Sequence, residues 1–206
     1  MLQVEGLGFH YPQRPLFFGL DVGIGAGVTL VRGGDGSGKS TLLRLLAGDL
    51  PAHTGQLRLH GVSLQESPQA YRQQVFWADM RTQEHDQLTA LDYFAQCRLR
   101  YPGFLPPESA ELDGLLSGLS LQEHLKKPLY MLSTGSKRKV WLAAAFAAGA
   151  ALTLLDDPFA ALDKVSIAFV LQRLSMAASH PAQAWVMAHY EEPDGVPLVQ
   201  VIELGT

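Results

Sequence analysis

The chain has 206 residues, 47% of them apolar and 17% charged, enough for the core of one domain and too apolar for a disordered tract. Its net charge of −4 argues against a nucleic-acid binder, which shows a basic balance. A single cysteine, Cys97, excludes an intrachain disulfide framework and suits a reducing compartment.

The opening stretch "MLQVEGLGFHYP" has no basic n-region and no apolar h-region, so a signal peptide is not expected. "QVEGLGFHYP" and "LFFGLDVGIG" alternate loosely and predict short strands, and "GVTLV" (27–31) predicts a buried one. That strand runs into Gly33-Gly34-Asp35-Gly36-Ser37-Gly38-Lys39-Ser40, which fits the phosphate-loop pattern G-x-x-x-x-G-K-[ST]. Glycines let successive backbone N–H groups turn toward one anion with no Cβ in the way. The following helix directs its positive end at the phosphates. Lys39 reaches the outer phosphates and the Ser40 hydroxyl suits Mg²⁺. An accidental glycine-rich turn is the bland alternative, but a strand before and a helix after are the context a phosphate loop needs. The helix carries Leu42, Leu43, Leu45 and Leu46 on its apolar side and stops at Gly48.

"GQLRLHG" (55–61) and "QQVFWAD" (73–79) predict further strands. From about 80 to 147 the spacing turns helical, with Thr89 as a capping residue for "LTALDYFAQCRLR", followed by "PESAELDGLLSGL" and "SKRKVWLAAAFAA". The longest uncharged run, Val140 to Leu155, is shorter than the roughly 20 residues of a membrane span. Gly149 interrupts it, which predicts a buried helix end followed by a buried strand; a membrane is expected only through a partner. Strand character returns in "LTLLD" (152–156), "QAWVMAH" (183–189) and "PLVQVIEL" (197–204), with a helix over 164–178. This order predicts a parallel sheet with crossover helices. Within it, "LLDDPF" sets Asp156 beside Asp157, two anions that await a cation or a proton.

In order and over nearly its whole length, the chain resembles the nucleotide-binding subunit of an ATP-binding cassette (ABC) transporter, of the short single-cassette bacterial type. The resemblance implies an α/β fold: a RecA-like P-loop core with a mainly parallel sheet (1–79 and 148–206), an N-terminal antiparallel β part, and an inserted α-helical subdomain (80–147). It implies an Mg²⁺-dependent ATP hydrolase, with ATP bound by the loop through Thr41.

"MLSTGSKRKV" (131–140) resembles the family signature LSGGQ: Ser133 and Gly135 match, while Thr134 and Ser136 replace a glycine and a glutamine. In the family this loop caps a nucleotide held by the other subunit; an ordinary helix cap is the alternative. Lys137, Arg138 and Lys139 are expected on a solvated helix face. "LTLLDDP" resembles the Walker B segment, so Asp156 serves the metal and Asp157 the attacking water, one methylene shorter than the usual Glu. A shift of about 1 Å costs on the order of 100-fold, so slowed hydrolysis is expected. Asp163 in "AALD" resembles the D-loop aspartate near the dimer partner. His189 stands where the family has a switch histidine, although a histidine ending a strand is more often structural. The catalytic set is thus Asp157, His189 and Lys39.

Tyr11 stands about where the family stacks an aromatic on adenine, with a core or rim tyrosine as the alternative. For the Q-loop glutamine, Gln83 is the expectation if the loop is shifted, as a metal-side ligand, with Asp79 or Met80 nearer the usual position. The implied partners are transmembrane subunits and a second cassette, identical or different, with the chain cytoplasmic and peripheral on the inner membrane face. A soluble ABC-type ATPase or a slow nucleotide-gated regulator is the competing reading. The end at Thr206 is expected to leave no room for a C-terminal regulatory domain.

Overall fold

The structure, a computed structural model, describes residues 1–79 and 82–205. Met80 lies outside the described residues. Leu2–Tyr11 (β1) and Arg14–Ile24 (β2) form a hairpin closed by Tyr11 opposite Arg14. Gly27–Arg32 (β3) leads through the glycine loop into Lys39–Ala47 (α1). Thr54–Leu59 (β4) and Val62–Ser63 (β5) return to the hairpin and complete an antiparallel sheet of order β2-β1-β4-β5. Pro68–Arg72 (α2) precedes Val75–Trp77 (β6). Three helices follow: Ala90–Arg100 (α3), Ala110–Gly118 (α4) and Thr134–Ala147 (α5). Leu152–Asp156 (β7), Lys164–Ala177 (α6), Ala184–His189 (β8) and Leu198–Glu203 (β9) close the order. The second sheet is parallel throughout, in the order β6-β7-β8-β3-β9.

The parallel strands are apolar runs because both of their faces are covered. Along β7, Leu152 and Leu154 pack into the core shared with α1 and the antiparallel sheet, whereas Leu155 packs into the core under α3, α4, α5 and α6. The helices start where capping chemistry says they should. Thr89 and Asp92 form a reciprocal capping box on α3, and Ser109, Ser133 and Asp163 cap α4, α5 and α6. Gly48 ends α1 in the left-handed region, at φ 68°.

The α/β class, the parallel sheet and the antiparallel N-terminal part are those expected from the sequence. The strand expected over 73–79 is shorter, three residues, because Gln73 forms the C-cap of α2 and the strand starts only at Val75. Pro68 at its first turn was the available signal for that helix. The uncharged run divides as expected, into the end of α5 and the strand β7. Among the described residues no helix is long and apolar enough to cross a membrane.

Candidate functional site

Strands β3, β7 and β8 are neighbours and parallel, so their carboxyl ends open on the same edge of the sheet, the place where open α/β sheets bind ligands. A cleft of about 530 Å³ lies there. From the loop after β3 it takes Asp35, Gly36, Gly38, Lys39, Ser40 and Thr41; from the ends of β7 and β8 it takes Asp156, Asp157 and His189; from the hairpin it takes Tyr11.

The loop is built for close approach. Gly36 and Gly38 have φ of 76° and 101°, conformations that side chains rarely adopt. A Cβ on Gly33 would come within 2.5 Å of Ser37 Oγ and 2.8 Å of the Leu204 carbonyl. Gly38 starts α1 with no side-chain cap on its amides, which leaves them for another acceptor. The buried Ser37 Oγ has no partner. Lys39 Nζ donates to the carbonyls of Gly33 and Gly34 at 2.7 and 2.8 Å, folded over the same loop that a polyphosphate would occupy. Unpaired donors, a lysine and a glycine cradle fit an anionic phosphate chain. Ser40 and Asp156 supply the hard oxygens that Mg²⁺ prefers. Among the described residues no group of three or more His, Cys, Asp and Glu could hold a metal; Mg²⁺ is commonly held by one or two protein oxygens together with substrate phosphates.

Asp157 opens a tight turn. Its carbonyl accepts from Ala160 N–H at 3.2 Å, and Pro158 occupies the second position, where its fixed φ is favourable. The turn holds Asp157 at φ 48°, at a cost on the order of 1 kcal/mol for a non-glycine residue. Its N–H donates to Ala188 of β8 at 3.0 Å. The carboxylate Oδ1 then lies 3.2 Å from His189 Nδ1. His189 is wedged against Phe159 and Tyr190, with ring centroids 5.2 and 4.3 Å away.

Tyr11 is 41% exposed, edge-on to Phe9, with its hydroxyl 3.3 Å from Thr41 Oγ1; a rim position with a free face suits stacking. The remaining expected site residues lie apart from the cleft. Ser133 accepts from Ser136 N–H at 3.1 Å and donates to its hydroxyl at 3.0 Å. Gly135 sits against the 161 peptide, where a Cβ would meet the Ala161 carbonyl at 2.4 Å. Asp163 accepts from Lys139 Nζ at 2.6 Å and Ser166 N–H at 2.8 Å. First the lysine and then that backbone N–H hold its carboxyl well below the usual carboxylate range. Gln83 is in a separate hollow with Thr134 and Lys137; it is Asp79 that lines the cleft.

Two features escaped the sequence reading. Arg14 reaches from β2 to the Gly36 carbonyl at 2.7 Å and lines the cleft; no spacing rule marks it, because the hairpin brings it there. The basic run after the signature is no solvated face. Lys137 pairs with Asp86, Arg138 donates to the carbonyls of Asp157 and Ala160, and Lys139 pairs with Asp163. All three are half-buried.

The chain is similar to known proteins. The family described as ABC transporter matches residues 19–160. The cytochrome c biogenesis ATP-binding export protein CcmA of Pseudomonas putida (strain KT2440) is 36% identical over 81% of this chain and 79% of its own. A bifunctional CcmAE protein of Salmonella choleraesuis (strain SC-B67) is 30% identical over the whole chain, which spans 60% of that relative's length. Among solved structures, the ATP binding subunit of an ABC transporter superposes with a TM-score of 0.79 at 23% identity, over 92% of this chain and 79% of that one.

Proposed function

Since the chain belongs to the ABC transporter family, we propose that it is the ATP-hydrolysing subunit of an exporter similar to those of cytochrome c biogenesis, acting through separate transmembrane subunits. The family and the ATP-binding role rest on the match itself. The observation that carries the hydrolytic reading is the convergence of Lys39, Ser40, Asp156, Asp157 and His189 on one cleft at the carboxyl edge of the sheet.

In this reading the amides of Gly33 to Thr41 bind the polyphosphate and Lys39 turns from its loop carbonyls to the outer phosphates. Ser40 and Asp156 hold Mg²⁺, which supplies charge neutralisation on the phosphates. Asp157 polarises the attacking water. His189 donates from Nδ1 to Asp157, which fixes the tautomer with Nε2 as acceptor, facing the cleft as a second handle on water or phosphate. Tyr11 stacks on the base and Arg14 braces the loop from the hairpin.

The Ser133–Ser136 loop lies apart from the cleft of its own chain, which supports a site completed by a second cassette. There its cap hydroxyls and helix start would meet the partner's nucleotide. Asp163 would lie beside that contact. With domain limits of 1–79 with 148–206, and 80–147, the cleft is lined mainly by the first unit, with Arg138 entering from the second, and the signature belongs to the second. The chain would sit on the inner membrane face through its partner.

Titration calorimetry with Mg-ATP tests the reading. Binding with a stabilised melting temperature is expected for the wild type, and loss of both in Lys39→Ala. Equal binding by the two proteins would sink it. Recovery of the chain in the membrane fraction only when its transmembrane partner is co-expressed tests the transport assignment.

A further inference from the structure

The Asp157 turn is gripped by a side chain that the proposed chemistry does not use. Arg138 stands on α5 just beyond the cap Ser133. Its Nη1 donates to the Asp157 carbonyl at 2.8 Å and to the Ala160 carbonyl at 3.0 Å. One guanidinium nitrogen carries two N–H groups, one for each acceptor. The two acceptors are the first and last residues of the Asp157–Ala160 turn. Asp157 is therefore fixed on both sides, its N–H on β8 through Ala188 and its C=O on α5. With both peptides held and φ at 48°, the direction of its Cα–Cβ bond is set.

A short carboxylate depends on that direction more than a long one, because it has one fewer rotatable bond with which to correct a misplaced backbone. We infer that Arg138 is a positioning residue, clamping the Asp157–Ala160 turn so that the Asp157 carboxylate lies where the attacking water is polarised. The inference rests on the reading of Asp157 as the hydrolytic base. The clamp also ties the first turns of α5 to the 157–163 segment. Gly135 abuts the Ala161 carbonyl and Lys139 holds Asp163, so a partner nucleotide pressing on the signature loop presses on the turn that aims this chain's own base.

The test uses the full chain. Arg138→Met keeps the aliphatic stem and removes the donors; Arg138→Lys keeps a cationic donor on a slightly shorter side chain. Single-turnover hydrolysis of Mg-ATP in Arg138→Met is expected to fall about 10- to 100-fold, the scale of a misplacement near 1 Å, with nucleotide Kd unchanged. Arg138→Lys is expected to recover most of the rate. In the Asp157→Glu background the same Arg138→Met change is expected to cost only a few-fold, because the longer side chain can compensate. An equal loss in both backgrounds, or a rate that Arg138→Met leaves untouched while Asp157→Asn abolishes it, overturns the positioning role. A weakened Kd in place of a lowered rate shows direct nucleotide contact and overturns it too. If Asp157→Asn itself leaves the rate intact, the reading of the base fails and this inference falls with it. Arg138→Gln, too short to reach the turn, repeats the comparison should Arg138→Met not fold.

Discussion

Asp157 carries the greatest burden of any single residue. Its left-handed φ of 48° and its 3.2 Å approach to His189 Nδ1 show that the backbone, and not the side chain alone, sets where the carboxylate lies. Replacing the carboxylate by an amide removes the base and keeps the shape, so Asp157→Asn is expected to slow single-turnover hydrolysis by about 10²- to 10⁴-fold while Mg-ATP still binds. Asp157→Glu separates two accounts of the short side chain. If reach limits the rate, Glu raises it; if the turn already compensates, Glu leaves it unchanged or lowers it, and rapid-quench measurements tell the two apart. Gly135 gives a sharper steric case. A Cβ there would stand 2.4 Å from the Ala161 carbonyl, a backbone atom that has no rotamer to escape by. Gly135→Ala is expected to lower stability by about 1–3 kcal/mol, read as a lower urea midpoint at constant slope. Thr134, in the neighbouring position, lines a hollow, which has room for a side chain.

At the scale of elements, α5 and α6 are joined to each other by charge. Lys139 on α5 bonds Asp163, and Asp163 caps α6 through the N–H of Ser166. Both hold the Asp163 carboxyl well below its ordinary range. A group whose pKa is depressed by folding stabilises the folded state fully above its unfolded pKa, about 4. That contribution is lost as pH falls through the lower folded value. The melting temperature is therefore expected to drop from about pH 4 downward. The gap between wild type and Lys139→Met, present at pH 7, narrows over the same range. A gap that stays constant to pH 2 would remove Lys139 as the cause. The pair is partly exposed, so the effect is modest and shrinks in high salt. This bracing was invisible in the sequence. "SKRKV" has the spacing of a solvated face, and only the tertiary approach of Asp86 to Lys137 and of the 157–163 segment to Arg138 and Lys139 turns three cations inward. Local chemistry was legible: Thr89 caps α3, the cap offered as the alternative reading of the 131–140 stretch is formed by Ser133, and the apolar run of 152–155 forms the buried strand. The glycines at 36 and 38 adopt the φ values a phosphate loop needs. Contacts made across the fold were not: Arg14 reaches Gly36 through a hairpin, which no spacing in the chain marks.

For the whole molecule the decisive fact is a separation. The phosphate loop and Asp157 share one cleft, while the Ser133–Ser136 loop is not part of its lining and Thr134 lines a different hollow. A nucleotide held by one chain thus presents its far side to solvent unless another chain covers it. On the proposed reading, two anion-binding loops closing on one polyphosphate would each neutralise charge that the other leaves exposed, so association would depend on the intact nucleotide and be reversed when hydrolysis splits it. Blocking hydrolysis then traps the closed pair. Asp157→Asn is expected to elute with the mass of two chains in Mg-ATP and of one in Mg-ADP. Adding Lys39→Ala, which weakens nucleotide binding, returns it to a single chain. Ser136→Arg, a bulky cation on the covering loop, is expected to block pairing while Mg-ATP still binds each chain's own cleft, so calorimetry and light scattering give opposite answers for this variant. If Ser136→Arg pairs as well as its parent, the signature loop does not cover the partner's nucleotide, and each cleft must be complete within one chain.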